Sequence, residues 1–182
     1  MKKQIVYQDK TEGLSVRFPT MKDVGPMLDY INTLSNEKTY TRSQGEQITL
    51  ENEKVYVKNL LEKMARKESL CLLAFHNKEL VGVAGIAMQD RVEKHVGILG
   101  ISIVKSARGL GLGSLLMELL EKEGKSYLPQ LKIITLEVFS NNEVALNLYK
   151  KMGYIVYGVL PRGTLFKRRY VDRILMHKPV RK

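Results

Sequence analysis

The sequence predicts an α+β domain built on a mixed sheet, and three observations predict it. Apolar runs of strand length recur along the chain, several segments between them repeat apolar residues at helical spacing, and the changes of pattern fall at caps, glycines or prolines. With 182 residues, 44% of them hydrophobic, the chain is long enough for one well-buried core and short for two. A single domain over 1–182 is therefore expected.

Residues 14–18 read as a first short strand, broken at Pro19. Thr20 with Asp23 three places on is a capping-box variant, and Val24, Met27, Leu28 and Ile31 share one helix face, so a helix starts at Met21. Pro26, beyond the first turn of that helix, is expected to bend or divide it. A polar, mobile loop over 35–47 leads to Val57, Leu60, Leu61 and Met64, again at helical spacing. Residues 69–75 and 80–88 flank the polar "HNKE" and make an antiparallel hairpin, and a strand over 95–104 follows. The next helix opens near Leu112, carries Leu112, Leu115, Leu116, Leu119 and Leu120 as a wide apolar stripe, and fades between Gly124 and Pro129. Residues 131–139 form a β-rich run, and Asn141 or Asn142 caps a helix that runs through Lys151 and stops at Gly153. Strands over 154–160 and 170–177 finish the chain, with Pro161 and Gly163 marking the turn region between them.

Composition narrows the function. The apolar runs are interrupted well short of a bilayer span and the amino terminus lacks a signal-peptide pattern, so a soluble, cytoplasmic protein without a membrane partner is expected. Cys71 stands alone and among leucines, which excludes an internal disulfide framework and predicts an inert core thiol. The net charge of +11 attracts polyanions of any kind: nucleic acid, an acidic protein, anionic lipid or a phosphate-rich cofactor. The cations are spread along the chain, with modest clusters at Lys167, Arg168 and Arg169 and at the carboxy terminus. Aromatic residues are 7% of the chain and do not interleave with basic ones, so nucleic acid is not the expected partner. His76, His95, His177 and Cys71 show no metal-ligand spacing, and no metal is expected.

The stretch "GISIVKSARGLGLGSLLMELLEKEG", residues 100–124, joins a strand directly to a helix. Such a join presents unpaired backbone N–H groups at the positive end of the helix dipole, and glycines let a ligand approach them. An anion is the natural occupant. A P-loop is excluded because Gly113 is followed directly by Ser114 with no lysine. A dinucleotide fingerprint is excluded because Gly109, Gly111 and Gly113 alternate and Leu116 occupies the fourth required place. The spacing that fits is Arg108-x-x-Gly111-x-Gly113.

That spacing resembles the acetyl-CoA pyrophosphate loop, Q/R-x-x-G-x-G/A, of the GNAT family of N-acetyltransferases. Downstream, "LEVFSNNEVALNLYKKMGY", residues 136–154, is similar to the second GNAT segment, through Asn142, Ala145, Leu148, Tyr149, Gly153 and Tyr154. The resemblance extends over the whole element order. It implies a central, mostly antiparallel sheet flanked by helices and containing a splayed parallel strand pair, here 95–104 and 131–139.

What the resemblance implies for the site follows residue by residue. Acetyl-CoA is the cosubstrate: its pyrophosphate falls to the amides of Arg108, Gly109, Leu110, Gly111, Leu112, Gly113 and Ser114, and its pantetheine arm to the backbone of Ile101 and Ile103. The Ile103 amide bonds the thioester carbonyl. Tyr149 protonates the departing thiolate, to which a phenol of reference pKa near ~10 is matched; the alternative is that it packs on the core with Ala145 and Met152. Glu137, in an otherwise apolar strand, is the first candidate for the base, with Glu93, His95 or a water chain as others; the alternative for Glu137 is that it merely pairs with a nearby cation or faces solvent. Asn142 caps its helix, partners the cofactor arm, or both.

The acceptor wall of such enzymes is commonly the loop between the first helices and the final hairpin, here 35–47 and 161–170. The ending "RRYVDRILMHKP" resembles the Y-x-D-x-x-x-M tail of members acting on amino-acid-like or antibiotic acceptors, through Tyr170, Asp172 and Met176, although Arg169 stands where a glycine often precedes the tyrosine. The expectation is an N-acetyltransferase of a small primary amine or amino acid, acting by direct transfer as a monomer or homodimer. A protein amino-terminal or lysine acetyltransferase is the alternative within the family, and a basic nucleic-acid-binding domain the alternative outside it.

Overall fold

Most of the backbone follows where the apolar spacing and caps lead, in a computed structural model that describes residues 5–180. The strands are β1 (Ile5–Asp9), β2 (Leu14–Arg17), β3 (Ser69–His76), β4 (Glu79–Met88), β5 (Val96–Ile103), β6 (Ile133–Phe139), β7 (Ile155–Phe166) and β8 (Arg169–Pro179). The helices are α1 (Val24–Asn36), α2 (Leu50–Ala65), α3 (Leu112–Tyr127) and α4 (Glu143–Lys151). The sheet runs β1-β2-β3-β4-β5-β6-β8-β7, with β5 and β6 its parallel pair. Mixed α+β architecture with one parallel pair in a mostly antiparallel sheet is the fold class expected. The basic residues Arg181 and Lys182 lie outside the described residues.

The chain divides into two compact units, one holding the residues up to Ile86 with Gly100–Pro129, the other Ala87–Leu99 with the residues from Gln130 onward. In the first, β3 is buried on both faces from Ser69 to Phe75 and packs on both α2 and α3. A continuous apolar run suits a strand covered on two sides, whereas alternation would suit one. Leu116, Met117 and Leu120 of α3 are fully buried; Met117 joins the buried face and Leu115 is only half-buried. Cys71 lies in β3 and burial pushes its thiol up to about 12, as an inert core residue requires.

Three expectations need correction in this region. β1 carries no strong periodicity and goes unforeseen; it is an edge strand held by β2 alone. Pro26 does not divide α1, because Met21–Asp23 is a separate 3-10 turn and α1 runs unbroken from Val24 to Asn36. Pro26 is thus in the first helical turn, where its missing N–H has no partner to lose. The segment after α1 is also tied down more than a mobile loop would be: Asn32 holds the Ile48 backbone at both its N–H and its carbonyl, and Ser35 Oγ donates to the Glu46 carbonyl at 2.7 Å.

In the second unit, β6 alternates strictly, with Ile134, Leu136 and Val138 buried and Glu137 exposed between them. β6 pairs antiparallel with β8 along its whole length, from Ile133↔Pro179 to Phe139↔Arg173. Here Pro161 and Gly163 do not form the turn expected of them. β7 runs through both to Phe166, and the turn is Lys167 and Arg168, each with positive φ. β7 is an edge strand, where proline loses no ladder bond, and the register shift between Leu160 and Thr164 accommodates the extra residues.

Candidate functional site

The strand-to-helix join lies in the first unit. β5 ends at Ile103, a 3-10 turn over Lys105–Ala107 follows, and Arg108 leads into Gly109-Leu110-Gly111. Gly109 and Gly111 have φ of +82° and +76°, a conformation that L side chains rarely adopt. Gly111 is the N-cap of α3, and the first helical bond runs from Leu115 N–H to the Gly111 carbonyl at 3.2 Å. The N–H groups of Leu112, Gly113 and Ser114 therefore precede the helical ladder, no side chain caps them, and the first turn carries no acidic residue. The space in front of both glycines is open, since a Cβ built on either meets nothing within 4 Å. Sixteen residues of aligned peptide dipole stand behind those donors. Chemically this is an anion cradle, and it fits a pyrophosphate.

Arg108 does not project its charge into the cradle. Its Nη2 donates to the Glu37 carboxylate and its Nε to the Ile103 carbonyl at 2.9 Å. Glu37 also accepts the Lys105 backbone N–H at 2.6 Å. Beside it, the Tyr30 hydroxyl contacts the carbonyl and Oγ of Ser102 on β5, at 2.7 and 2.8 Å. Burial holds the Tyr30 phenol well above its usual range, so it stays a donor.

The second unit carries the other candidate residues. Asn142 caps α4 by accepting the Ala145 N–H at 3.2 Å, which settles the choice between Asn141 and Asn142. Two turns on, Tyr149 is 7% exposed, with its ring 6.1 Å from that of Tyr154. Burial pushes its phenol up to about 12. Among the described residues its hydroxyl takes part in no hydrogen bond, and the ring contact shown for it is the one with Tyr154. Glu137, 44% exposed at its side chain, is ion-paired with Arg173, whose Nη1 lies 3.0 Å from the carboxylate. Glu93 and His95, the other candidates for a base, are exposed, and the His95 carbonyl accepts the N–H groups of Lys132 and Ile133. The parallel ladder between β5 and β6 covers only Val96–Ile98 with Ile133–Thr135, although β5 runs on to Ile103.

Residues 30–154 match the family model described as Acetyltransferase (GNAT) family. The chain belongs to the GNAT acetyltransferase family. A GNAT acetyltransferase from Streptococcus pneumoniae is similar over 92% of this chain and 99% of its own, at 29% identity and a TM-score of 0.84. A putative acetyltransferase from Salmonella typhimurium, solved with its cofactor acetyl-CoA, covers 93% of this chain and 95% of its own at 15% identity and a TM-score of 0.79. The ribosomal-protein-S5-alanine acetyltransferase of Vibrio fischeri covers 96% of each chain at 17% identity and a TM-score of 0.80. At the last two identities the likeness is one of fold. No curated protein matches the sequence.

Ile101 and Ile103 lie on β5 and Arg108 to Ser114 on the loop and head of α3, all in the first unit, while Glu137 lies on β6, Asn142 at the N-cap of α4 and Tyr149 within α4, all in the second. Three partners went unread in the sequence: Glu37 and Tyr30 against β5 and its loop, and Arg173 against Glu137. Each is paired across 36 or more positions, a separation at which no local pattern signals contact. Among the described residues no helix is long and apolar enough to cross a membrane, and no cluster of three or more His, Cys, Asp or Glu is placed to hold a metal.

Proposed function

We propose that this GNAT protein transfers the acetyl group of acetyl-CoA to the nitrogen of a small primary amine or amino acid by direct attack. The observation that carries the proposal is the head of α3, where bare N–H groups stand behind two open, positive-φ glycines. When bound, acetyl-CoA supplies an activated acyl group as its thioester. The chain's own residues then have separable tasks. Amides from Arg108 to Ser114 hold the pyrophosphate oxygens, and the net charge of +11 favours the remaining phosphate.

The Ile101 and Ile103 backbones orient the pantetheine arm. The short β5–β6 ladder supports this role, since pairing with β6 stops at Ile98 and the following β5 backbone is not part of it. The Ile103 N–H stabilises negative charge developing on the carbonyl oxygen. As the new N–C bond forms and the C–S bond breaks, the proton leaving the amine passes to Glu137, directly or through water, and the sulfur takes the proton of Tyr149. Burial, which pushes that phenol up to about 12, keeps it protonated at neutral pH and makes it a weaker acid than the reference phenol of ~10, so the donation is driven by the charge developing on sulfur. Arg173 holds the Glu137 carboxylate in place, and Asn142 sets the start of the helix that carries Tyr149.

A second reading, transfer to a protein amino terminus or lysine, is supported by the exposed apolar side chains along the final hairpin, Tyr157, Val159, Leu165 and Tyr170 among them. These offer a peptide more than a small amine needs. The deciding experiment incubates the purified protein with acetyl-CoA and separate panels of amino acids, simple amines and peptides, and follows thiol release. Release with the small amines supports the proposal. Release with peptides alone replaces it by the second reading, and no binding of acetyl-CoA overturns both.

A further inference from the structure

Glu37 breaks a local rule. It is the C-cap of α1, where the helix dipole presents its negative end and a carboxylate is disfavoured. Its side chain is nonetheless only 13% exposed. Residues that violate local preference without a local gain mark places where tertiary structure or function decides. Here the gain lies far along the chain, at the join between β5 and α3.

One carboxylate brackets the whole 3-10 turn that precedes the anion cradle. Glu37 Oε1 accepts the N–H of Lys105, the first residue of the turn, at 2.6 Å. Its Oε2 takes the guanidinium of Arg108, the residue that closes the turn, and Arg108 Nε returns to the Ile103 carbonyl at 2.9 Å. The turn N–H that no helical partner serves is thereby satisfied, and the direction in which the chain enters Gly109 is fixed. Tyr30, two turns earlier on α1, secures the same stretch of β5 through Ser102. The two glycines that follow hold left-handed conformations and are the least restricted residues of the loop, so its shape depends on how its flanks are held.

We infer that Glu37 is a positioning residue for acetyl-CoA: it pre-orders the loop from Arg108 to Ser114 by clamping Lys105 and Arg108, and it does so although its own charge is of the same sign as the ligand's. The inference rests on the function proposed above. Because a carboxylate near an anion site is repulsive, positioning and simple electrostatics predict opposite signs. If Glu37 were only a nearby negative charge, Glu37→Gln would tighten acetyl-CoA. As a clamp, its loss weakens binding.

The test is a calorimetric titration with acetyl-CoA of the wild type, Glu37→Gln, Glu37→Ala, Arg108→Gln and the Glu37→Ala/Arg108→Gln double variant, each run well below its melting temperature. Glu37→Gln, which keeps an oxygen for the Lys105 N–H, is expected to weaken binding severalfold, and Glu37→Ala about tenfold, as the loss of hydrogen bonds to charged groups implies. The double variant is expected to bind no worse than the weaker single one, since both remove one clamp. Unchanged or tighter binding by a folded Glu37→Gln protein overturns the inference, as does a lowered melting temperature with unaltered affinity. Should Glu37→Ala not fold, Glu37→Gln still decides. A folded wild type that binds no acetyl-CoA overturns the proposed function and this inference with it; failure of the variants alone to differ overturns the inference only.

Discussion

Arg173 grips Glu137 and the final hairpin at once: Nη1 donates to the Glu137 carboxylate at 3.0 Å and Nη2 to the Gly163 carbonyl at 2.5 Å. Gly163 sits within the register shift of β7, next to Arg162, whose N–H donates to Asp172 at 2.8 Å. The irregular part of the hairpin is thus connected to the one acidic side chain of β6. A carboxylate held this way keeps one orientation, which is what a positioned proton acceptor needs. Glu137→Gln is expected to lower kcat about 10²-fold while leaving acetyl-CoA affinity little changed. A turnover equal to the wild type's moves the role to Glu93, His95 or water.

Tyr149 gives a prediction with a definite sign in pH. Burial raises its pKa to about 12, so the neutral phenol persists as pH rises through the ordinary tyrosine range. Tyr149→Phe is expected to lower kcat about 10²–10³-fold with little change in acetyl-CoA affinity. Removing a buried hydroxyl that makes no hydrogen bond among the described residues leaves stability unchanged or slightly higher. Activity that falls as pH rises, with a midpoint below about pH 9 and through a group that disappears in Tyr149→Phe, contradicts both the raised pKa and the assigned proton.

Local signals carried most of the fold and the backbone geometry of the glycine join at the candidate site. The leucines of α3, the cap at Asn142 and the polar tip between β3 and β4 are each encoded within a few residues of where they act. Pro161 misled because proline breaks central strands but not edge ones, and nothing local says that β7 is an edge. Glu37 and Arg173 were missed for a different reason. Their partners lie 71 and 36 positions away, so only the folded chain shows that these two charges belong to the loop and to β6.

Gly111 separates folding from binding. A Cβ there meets no neighbour, so a side chain is excluded by its φ of +76° alone, and asparagine and aspartate tolerate that region best among L residues. An aspartate at the head of α3 is favourable to the helix dipole yet faces the ligand's charge. Like charges about 4 Å apart at a protein surface repel by about 4 kcal/mol. Gly111→Asp is therefore expected to keep its melting temperature within a few degrees and to weaken acetyl-CoA about 10²–10³-fold, with Gly111→Asn losing far less. Equal losses for the two variants would trace the effect to loop shape and not to charge.

The first unit has an anchor whose contribution depends on pH. Asp23, 2% exposed, accepts from both Nη atoms of Arg17 at 2.8 and 2.5 Å and from the N–H and hydroxyl of Thr20 at 2.7 and 2.9 Å. Arg17 in turn lies over the Phe75 ring at 4.3 Å. Burial alone would raise the Asp23 pKa, but the bonds from Arg17 and Thr20 outweigh it and the net shift is downward. A carboxyl whose folded pKa is depressed stabilises the fold above its unfolded pKa, near ~3.9, and loses that contribution as pH falls through the folded value. Asp23→Asn leaves Arg17 without its counter-ion and is expected to cost about 2–4 kcal/mol at neutral pH, or about 5–15 °C in Tm for a chain of this size. Thermal unfolding of both proteins from pH 7 down to pH 3 checks the linkage. The gap between them is expected to hold down to about pH 4 and to narrow below it, because only the wild type has an ionised Asp23 to lose; a gap that widens on acidification would show that the group's pKa is raised and not lowered.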